Sequence, residues 1–139
     1  MLAADATVAG PRRLPLVLLV EDHQDTRQMY AEFLSGDFEV ATAPDAAEAL
    51  DLMRRRRPDL IITDLSLPGI DGFALIARIR QDAALATIPI ICLSGYGGHA
   101  YEQRARHAGC DRLLQKPFMP DALADVATEL LQVERRIKS

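Results

Sequence analysis

The stretch Leu16-Val17-Leu18-Leu19-Val20, followed directly by Glu21-Asp22, decides the fold class. A continuous apolar run of this length is typical of a strand that is covered on both faces, as in a parallel sheet. With Arg12-Arg13 before it, the run also resembles part of a signal peptide. It ends at the acidic pair with no small-residue cleavage site, and it is far below the ~20 residues that span a bilayer. We therefore expect a buried strand and a cytoplasmic protein.

Short apolar runs alternate with helical patterns along the rest of the chain. The further predicted strands are Phe38–Ala41, Leu60–Thr63, Ile88–Leu93 and Arg112–Gln115. Five helices are predicted between and after these strands. The first runs from Thr26 to Ser35 and has an apolar stripe of Met29, Tyr30, Phe33 and Leu34. The second and third begin at the caps Asp45 and Asp71, the fourth runs from His99 to His107 and stops at Gly109, and the fifth begins at Pro120. This is a (βα)₅ pattern, and it predicts an α/β fold with a doubly wound five-stranded parallel sheet and helices on both faces.

Length and composition limit the classes of function. The chain has 139 residues, which fits a single domain. We expect an extension at residues 1–13, a domain at 14–133, and the end of the last helix or a tail at 134–139. A net charge of −4 and the absence of Trp argue against a direct nucleic-acid partner. Cys92 and Cys110 do not supply a zinc site, and we expect both to be free, buried thiols.

Functional side chains follow four of the five strands. Glu21-Asp22 follow the first, Asp64 the third, Ser94 the fourth and Lys116 the fifth. The carboxyl ends of parallel strands meet at one edge of a sheet, which is where such folds place their sites. Three crowded carboxylates need a cation, and Mg²⁺ suits oxygen ligands. An aspartate near Mg²⁺ can attack phosphorus and form an aspartyl-phosphate, with Lys116 and Ser94 binding the phosphoryl oxygens.

The runs Leu16–Asp22 and Asp59–Gly72 and the triplet Lys116-Pro117-Phe118 resemble the receiver domain of two-component response regulators. The resemblance extends over residues ~14–133. It implies a flavodoxin-like sheet with strand order 2-1-3-4-5, and a bacterial phosphorelay function without multiple turnover.

The resemblance also implies a role for each site residue. Asp64 would be the phosphoacceptor, Asp22 a direct Mg²⁺ ligand, and Glu21 a ligand through water. The backbone carbonyl of Ser66 would complete the metal ligands. Ser94 would be the switch hydroxyl, and Lys116 would bind the phosphoryl group and precede a cis peptide bond to Pro117. The implied partners are a histidine kinase or phosphotransfer protein, and a downstream protein that binds helix 4, strand 5 and helix 5; no membrane partner is implied.

Two positions set this chain apart from the family pattern. Leu113 stands where the family usually has the aromatic residue that moves together with the switch hydroxyl. The loop after Ser94 has glycines around Tyr96. Tyr96 and Ser66 occupy the positions that tune water attack on the phosphoryl group in the family, so we expect Tyr96 to gate water. Tyr96 or Tyr101 could instead replace the missing aromatic.

Three alternatives remain open. The chain could be a receiver from a hybrid histidine kinase, or a phosphorelay shuttle without its own output. It could be an aspartate-dependent phosphohydrolase, although Ser66 stands where such enzymes often have a second Asp. It could also be a degenerate receiver that works without phosphorylation, against which the intact acids and Lys116 argue.

Overall fold

The computed structural model describes residues 13–138, with side chains up to residue 132. Residues 1–12 of the predicted N-terminal extension lie outside the described residues. The last helix continues to Lys138, so the predicted C-terminal segment is helical up to that residue. No helix in the described part of the chain combines the length and the apolar character needed to cross a membrane.

Five strands and five helices alternate along residues 13–138, the part of the chain that the structure describes. The strands are β1 (Leu16–Val20), β2 (Glu39–Ala43), β3 (Leu60–Asp64), β4 (Ile90–Ser94) and β5 (Arg112–Gln115). The helices are α1 (Gln24–Leu34), α2 (Ala46–Arg55), α3 (Gly72–Gln81), α4 (His99–Ala108) and α5 (Pro120–Lys138). All strand pairings are parallel, and the order in the sheet is β2-β1-β3-β4-β5. The doubly wound α/β prediction and its 2-1-3-4-5 order are confirmed.

The register of the sheet brings the strand ends to one level. Val20 pairs with Thr63, Asp64 with Leu93, and Ser94 with Gln115. Consequently the residues that follow β1, β3, β4 and β5 emerge at the same edge of the sheet. The fold itself therefore assembles the acidic residues, the hydroxyl and the lysine.

The core has two layers, one on each face of the sheet. Side chains of alternate strand positions point to opposite faces, which is why every residue of β1, β3 and β4 is buried. One layer joins the sheet to α2, α3 and α4, and it includes Leu18, Ile61, Ile76, Ile90 and Ala105. The other layer joins the sheet to α1 and α5, and it includes Leu19, Leu34, Ile62, Leu93 and Leu123.

The predicted helix signals hold, with shifts at several element ends. The side chain of Asp45 accepts a hydrogen bond from the backbone N–H of Glu48, and Asp71 accepts one from Ala74. Gly109 ends α4 in the left-handed region, with φ 116°. The second strand is Glu39–Ala43 and not Phe38–Ala41, and the fourth begins at Ile90 and not at Ile88.

The predicted apolar stripe of α1 is half wrong. Tyr30 and Leu34 are buried, but Met29 and Phe33 are 49% and 43% exposed. Each of the exposed residues precedes a buried one, so it lies about 100° away around the helix and faces outward. The adjacent apolar pairs Met29-Tyr30 and Phe33-Leu34 predicted an apolar stripe that is wider than the buried face of α1.

The cysteine prediction is confirmed. Cys92, in β4, and Cys110, just before β5, are free and buried. A hydrogen bond between the two thiols and their burial raise the pKa of Cys92. The Cys110 thiol also donates to the carbonyl of Arg112 at 2.8 Å. Both residues belong to the core layer on the α2–α4 side.

Candidate functional site

The predicted site residues lie together at the carboxyl edge of the sheet. The Lys116 ammonium is the central contact: its Nζ donates to Asp64 Oδ2 at 2.6 Å and lies 3.5 Å from Glu21 Oε1. Asp22 and Ser66 line one pocket beside this contact, a pocket of about 600 Å³. Ser94 is buried at the end of β4. The site therefore combines carboxylates, one ammonium and an adjoining open pocket.

Asp64 is fixed through both of its carboxylate oxygens. Oδ2 accepts from Lys116, and Oδ1 accepts from the backbone N–H of Ser66 at 2.9 Å. Its side chain is only 6% exposed. Two donors on a nearly buried carboxylate hold it in one orientation, as a positioned nucleophile requires.

A glycine brings the start of α3 against the end of β3. A Cβ at Gly72 would lie 2.5 Å from the backbone oxygen of Asp64 and 2.6 Å from Leu65 Cα. The N–H of Gly72 also donates to the Leu65 carbonyl at 3.1 Å. The backbone beneath the Asp64 side chain is thus held by a contact that only a residue without a side chain can make.

Glu21 is a completely buried carboxylate with an unsatisfied oxygen. Oε2 accepts from the backbone N–H of His23 at 3.1 Å, whereas Oε1 is the one buried side-chain oxygen without a hydrogen bond among the described residues. Burial raises the pKa of Glu21; the His23 N–H opposes this, and the charge of Asp64 adds to it. A buried carboxylate oxygen of this kind calls for a cation or an ordered donor.

The donor set fits a hard divalent cation. Glu21, Asp22 and Asp64 supply only oxygen atoms, and the free Glu21 Oε1 is an unsatisfied acceptor among them. Asp22 is partly open to solvent, with a side chain 33% exposed. Mg²⁺ binds through one or two carboxylates and keeps several waters. The residues present therefore suit Mg²⁺ in the chemistry and in the access that they offer.

His23 is a residue of this site that the sequence analysis missed. Its Nδ1 lies 3.3 Å from Glu21 Oε2 and 3.4 Å from Asp22 Oδ1, and its side chain is 76% exposed. One ligand atom from each of these three residues fits within 4.8 Å of the others. Its position directly after the acidic pair was the available signal.

Lys116 carries the positive charge of the site. Partial burial acts to lower its pKa, but the hydrogen bond and charge of Asp64, together with the charge of Glu21, raise the pKa above its ordinary value. Lys116 therefore stays protonated at neutral pH. The peptide bond to Pro117 is cis, as the resemblance implied, and the Lys116 N–H donates to the Ser94 carbonyl at 2.7 Å.

Tyr30, on α1, is a second residue that the sequence analysis placed only in the core. It is 7% exposed, and its ring stacks on Phe118 with centroids 5.7 Å apart. Burial raises the pKa of Tyr30, with the Lys116 charge opposing and the Glu21 and Asp64 charges adding. Tyr30 therefore packs on the segment that directly follows Lys116.

The Ser94 hydroxyl is engaged with its own loop. Its Oγ donates to the carbonyl of Tyr96 at 2.8 Å and accepts from the Tyr96 N–H at 2.9 Å. Tyr96 is 65% exposed, and its ring contacts Tyr101 on α4 with centroids 5.8 Å apart. The Tyr96 ring also lines the pocket that holds Asp22 and Ser66.

Leu113 lies on β5, opposite Cys92 in the register. It is half-buried and packs against the core layer on the α2–α4 side. An aliphatic side chain there fills space, but it has neither a ring nor a phenol hydroxyl to present to Ser94. Any coupling between the site and the surface through an aromatic group has to use other residues.

Comparisons with known proteins agree with this architecture. The family model described as "Response regulator receiver domain" matches residues 17–128. Response regulator Rre1 of Synechocystis is 36% identical over 117 residues, which are 83% of this chain and 51% of that protein. Sensor histidine kinase TmoS of Ectopseudomonas mendocina is 36% identical over 120 residues, 86% of this chain but 12% of the kinase. The chain thus spans about half or less of the length of these two relatives.

A solved structure shows the same likeness in three dimensions. A putative response regulator from Chloroflexus aurantiacus superimposes with a TM-score of 0.82 at 33% sequence identity. The match covers 86% of this chain and 99% of that one. The similarity in three dimensions therefore extends over most of this chain.

Proposed function

The chain belongs to the receiver-domain family of response regulators, and on that basis we propose that Asp64 accepts a phosphoryl group from a phosphohistidine. The observation that carries the proposal is the state of the Asp64 carboxylate. It is nearly buried, it is oriented by Lys116 and the Ser66 N–H, and the next two residues, Leu65 and Ser66, line an open pocket. An oriented carboxylate at this edge is a nucleophile that needs no general base.

The reaction exchanges one bond at phosphorus for another. An oxygen of Asp64 bonds to phosphorus while the P–N bond of the phosphohistidine breaks, and the imidazole takes up a proton. The Lys116 ammonium then pairs with a phosphoryl oxygen in place of its present contact with Asp64 Oδ2. The Ser94 hydroxyl donates to another phosphoryl oxygen after it leaves the Tyr96 carbonyl.

Glu21, Asp22, Asp64 and the backbone carbonyl of Ser66 are the groups that we propose hold Mg²⁺. When bound, the ion would neutralise the crowded carboxylates and the charge on the transferred phosphoryl group. The Oε1 atom of buried Glu21 supports this assignment, because it accepts no hydrogen bond and its contact with the Lys116 ammonium is 3.5 Å long. Glu21 and Asp64 also share the single ammonium of Lys116, so the carboxylates outnumber the cation among these contacts.

The proposed partners are a histidine kinase or phosphotransfer protein as donor, and a downstream protein as receiver of the signal. The phosphoryl group adds charge and acceptor oxygens at Asp64. Ser94 and Lys116 respond to it, and they connect to the loop before α4 and to the end of β5. The surface of α4, β5 and α5 is therefore the proposed docking face, in a cytoplasmic setting.

The direct test uses acetyl phosphate as a small phosphoryl donor. With Mg²⁺, the intact mass of the protein is expected to increase by one phosphoryl group. Chelation of the metal or the substitution Asp64→Asn is expected to abolish the increase, while Asp37→Asn, an exposed acid at the opposite end of the sheet, should leave it unchanged. Equal labelling with and without Mg²⁺ would contradict the proposal.

The similarity to a sensor histidine kinase favours one alternative, in which the module passes the phosphoryl group on within a relay. Phosphotransfer assays against a panel of kinases and phosphotransfer proteins separate the two roles. A long-lived phosphoryl-Asp64 is expected for a switch. Rapid return of the label to a histidine would instead identify a shuttle.

A further inference from the structure

The Ser94 hydroxyl has one proton, and in this structure that proton is used within the loop. Oγ donates to the Tyr96 carbonyl at 2.8 Å and accepts from the Tyr96 N–H at 2.9 Å. A hydroxyl has a single O–H donor. If it donates to a phosphoryl oxygen on Asp64, as the proposed function requires, it has to release the Tyr96 carbonyl. Phosphorylation therefore breaks the hydrogen bond between the Ser94 hydroxyl and the Tyr96 carbonyl.

The Tyr96 ring is the first member of a connected group of rings, which we call the aromatic chain: Tyr96, Tyr101 and Phe73. The rings of Tyr96 and Tyr101 are in contact, with centroids 5.8 Å apart, and the rings of Tyr101 and Phe73 meet edge to face, with centroids 5.6 Å apart. The Arg104 guanidinium caps the far end, 4.0 Å above the Phe73 ring. These contacts connect the loop after β4 to α4 and to α3.

Helix α4 has few buried side chains. Ala105 is its only buried residue, with Tyr101 and Ala108 partly buried against the core layer on the α2–α4 side. Its N-terminus has no side-chain cap, because the N-cap is Gly98 with φ 104°. Tyr101 and Arg104 both contact Phe73, so the aromatic chain is one of the attachments of α4 to α3. A change at Tyr96 therefore reaches the helix at one of its contacts with α3.

We propose that Tyr96 is a positioning residue: its backbone holds the Ser94 hydroxyl before phosphorylation, and its ring passes the loss of that hold to α4 through Tyr101 and Phe73. This route replaces the aromatic residue that β5 lacks at Leu113. It rests on the proposed phosphorylation of Asp64. Its consequence is that phosphorylation loosens α4.

The three tyrosines of the chain allow a direct test by fluorine NMR. Protein labelled with 3-fluorotyrosine should give three resonances, which single Tyr→Phe variants assign. The added probe is beryllofluoride with Mg²⁺, as a stable phosphoryl mimic. We expect the Tyr96 and Tyr101 resonances to shift, and that of Tyr30 also, because the Tyr30 ring stacks on Phe118, two residues after Lys116.

The variants separate transmission from a merely structural role. Tyr96→Phe keeps the ring and is expected to retain the Tyr101 response, whereas Tyr96→Ala is expected to lose it while Tyr30 still responds. Phe33→Ala removes an exposed ring on α1 and serves as the matched control that leaves both responses intact. Amide hydrogen exchange in residues 99–108 should accelerate roughly threefold to tenfold on addition of the mimic, which is the effect expected from the loss of one aromatic contact. This acceleration is expected only in proteins that carry an aromatic ring at residue 96.

Two results would overturn the inference. A Tyr101 shift of full size in Tyr96→Ala would show that the signal does not pass through Tyr96. A Tyr30 shift without any change at Tyr96 and Tyr101 would show that the mimic binds but the aromatic chain stays still. Silence of Tyr30 as well would overturn the proposed function itself, and the inference with it.

Discussion

At the scale of single residues, the charge balance around Lys116 controls the site. One ammonium serves two nearly buried carboxylates, at 2.6 Å from Asp64 and 3.5 Å from Glu21. Because the pKa of Lys116 is raised, this ammonium is fully charged below the ordinary pKa of lysine, and its stabilising effect is lost only as pH rises through the higher folded value. The contact with Asp64 therefore persists at neutral pH until a phosphoryl group competes for it.

Replacing Lys116 with Met leaves both carboxylates without their cation. Lys116 is about a third exposed, so we expect a discounted loss of roughly 1–2 kcal/mol in the free energy of unfolding, measured by urea titration without Mg²⁺. Excess Mg²⁺ should restore most of it. Arg106→Met removes an exposed pair with Glu102 and is expected to change stability by less than ~0.5 kcal/mol. A loss in Lys116→Met that Mg²⁺ does not reduce would argue against a shared cation role.

Tyr96 also borders the pocket lined by Asp22 and Ser66, and we propose that its ring limits the approach of water to the acceptor. We therefore expect Tyr96→Ala to shorten the half-life of phosphoryl-Asp64 by roughly threefold to tenfold, the effect of ~1 kcal/mol on the barrier. Release of phosphate from purified phosphoprotein measures it. Tyr96→Phe keeps the ring and should behave like the wild type. An unchanged half-life in Tyr96→Ala would rule out water gating.

At the scale of elements, the approach of α3 to β3 holds the acceptor in place. Gly72 lies so close to Asp64 and Leu65 that a Cβ would overlap backbone atoms. At the other end of α3, Arg80 ties the helix to the chain that precedes β4 and follows α4, donating to the carbonyls of Ile88 and Gly109 at 2.7 and 2.8 Å. The first residue of α3 is thus held against the end of β3, and Arg80 near its last residue is held by backbone carbonyls at the opposite edge of the sheet.

The substitution Gly72→Ala tests this close approach. Because the neighbouring atoms are backbone, we expect a loss of about 1–3 kcal/mol in unfolding free energy and slower phosphorylation of Asp64. The matched control is Gly36→Ala, which has open space around its Cα and lies outside the left-handed region. The control should be neutral or stabilising by up to ~1 kcal/mol. Equal stability of the two variants would contradict the account.

Sequence patterns predicted the elements well where the signal was local. The caps Asp45 and Asp71 and the stop at Gly109 depend on neighbouring residues, and all three hold. The error at Met29 and Phe33 arose because the width of a buried stripe depends on what packs against the helix. The start of β4 was placed too early because apolar residues before it are buried without pairing in the strand.

At the scale of the whole molecule, the parallel topology does most of the work of building the site. The residues after β1, β3, β4 and β5 share one edge, so the positions of Asp64, Ser94 and Lys116 followed from strand order alone. Strand order does not predict three other features of the site: the unsatisfied oxygen of Glu21, the place of Tyr30 beside the site, and the Ser94–Tyr96 hydrogen bonds. These depend on side-chain orientation and on contacts between distant segments, which a linear pattern does not contain.

Metal binding at this edge should stabilise the entire domain, because the site exists only in the folded chain. With Mg²⁺ at about ten times its dissociation constant, linkage predicts roughly 1.4 kcal/mol and a rise of about 4–6 °C in Tm. Thermal unfolding with and without MgCl₂, at constant ionic strength, measures it. Asp22→Asn should lose most of the rise, while Asp37→Asn should keep it. An equal rise in both variants would point to a general salt effect.

Chemical identification of the phosphorylated residue decides whether Asp64 carries the phosphoryl group. Wild-type protein phosphorylated with acetyl phosphate and Mg²⁺ is reduced with borohydride, which converts an acyl phosphate to an alcohol, and the modified residue is located by tandem mass spectrometry. If Asp64 carries the phosphoryl group, homoserine is expected at position 64 and at no other aspartate. Homoserine at position 22, 5-hydroxynorvaline at position 21, or a label that resists reduction and maps to His23, would contradict this assignment.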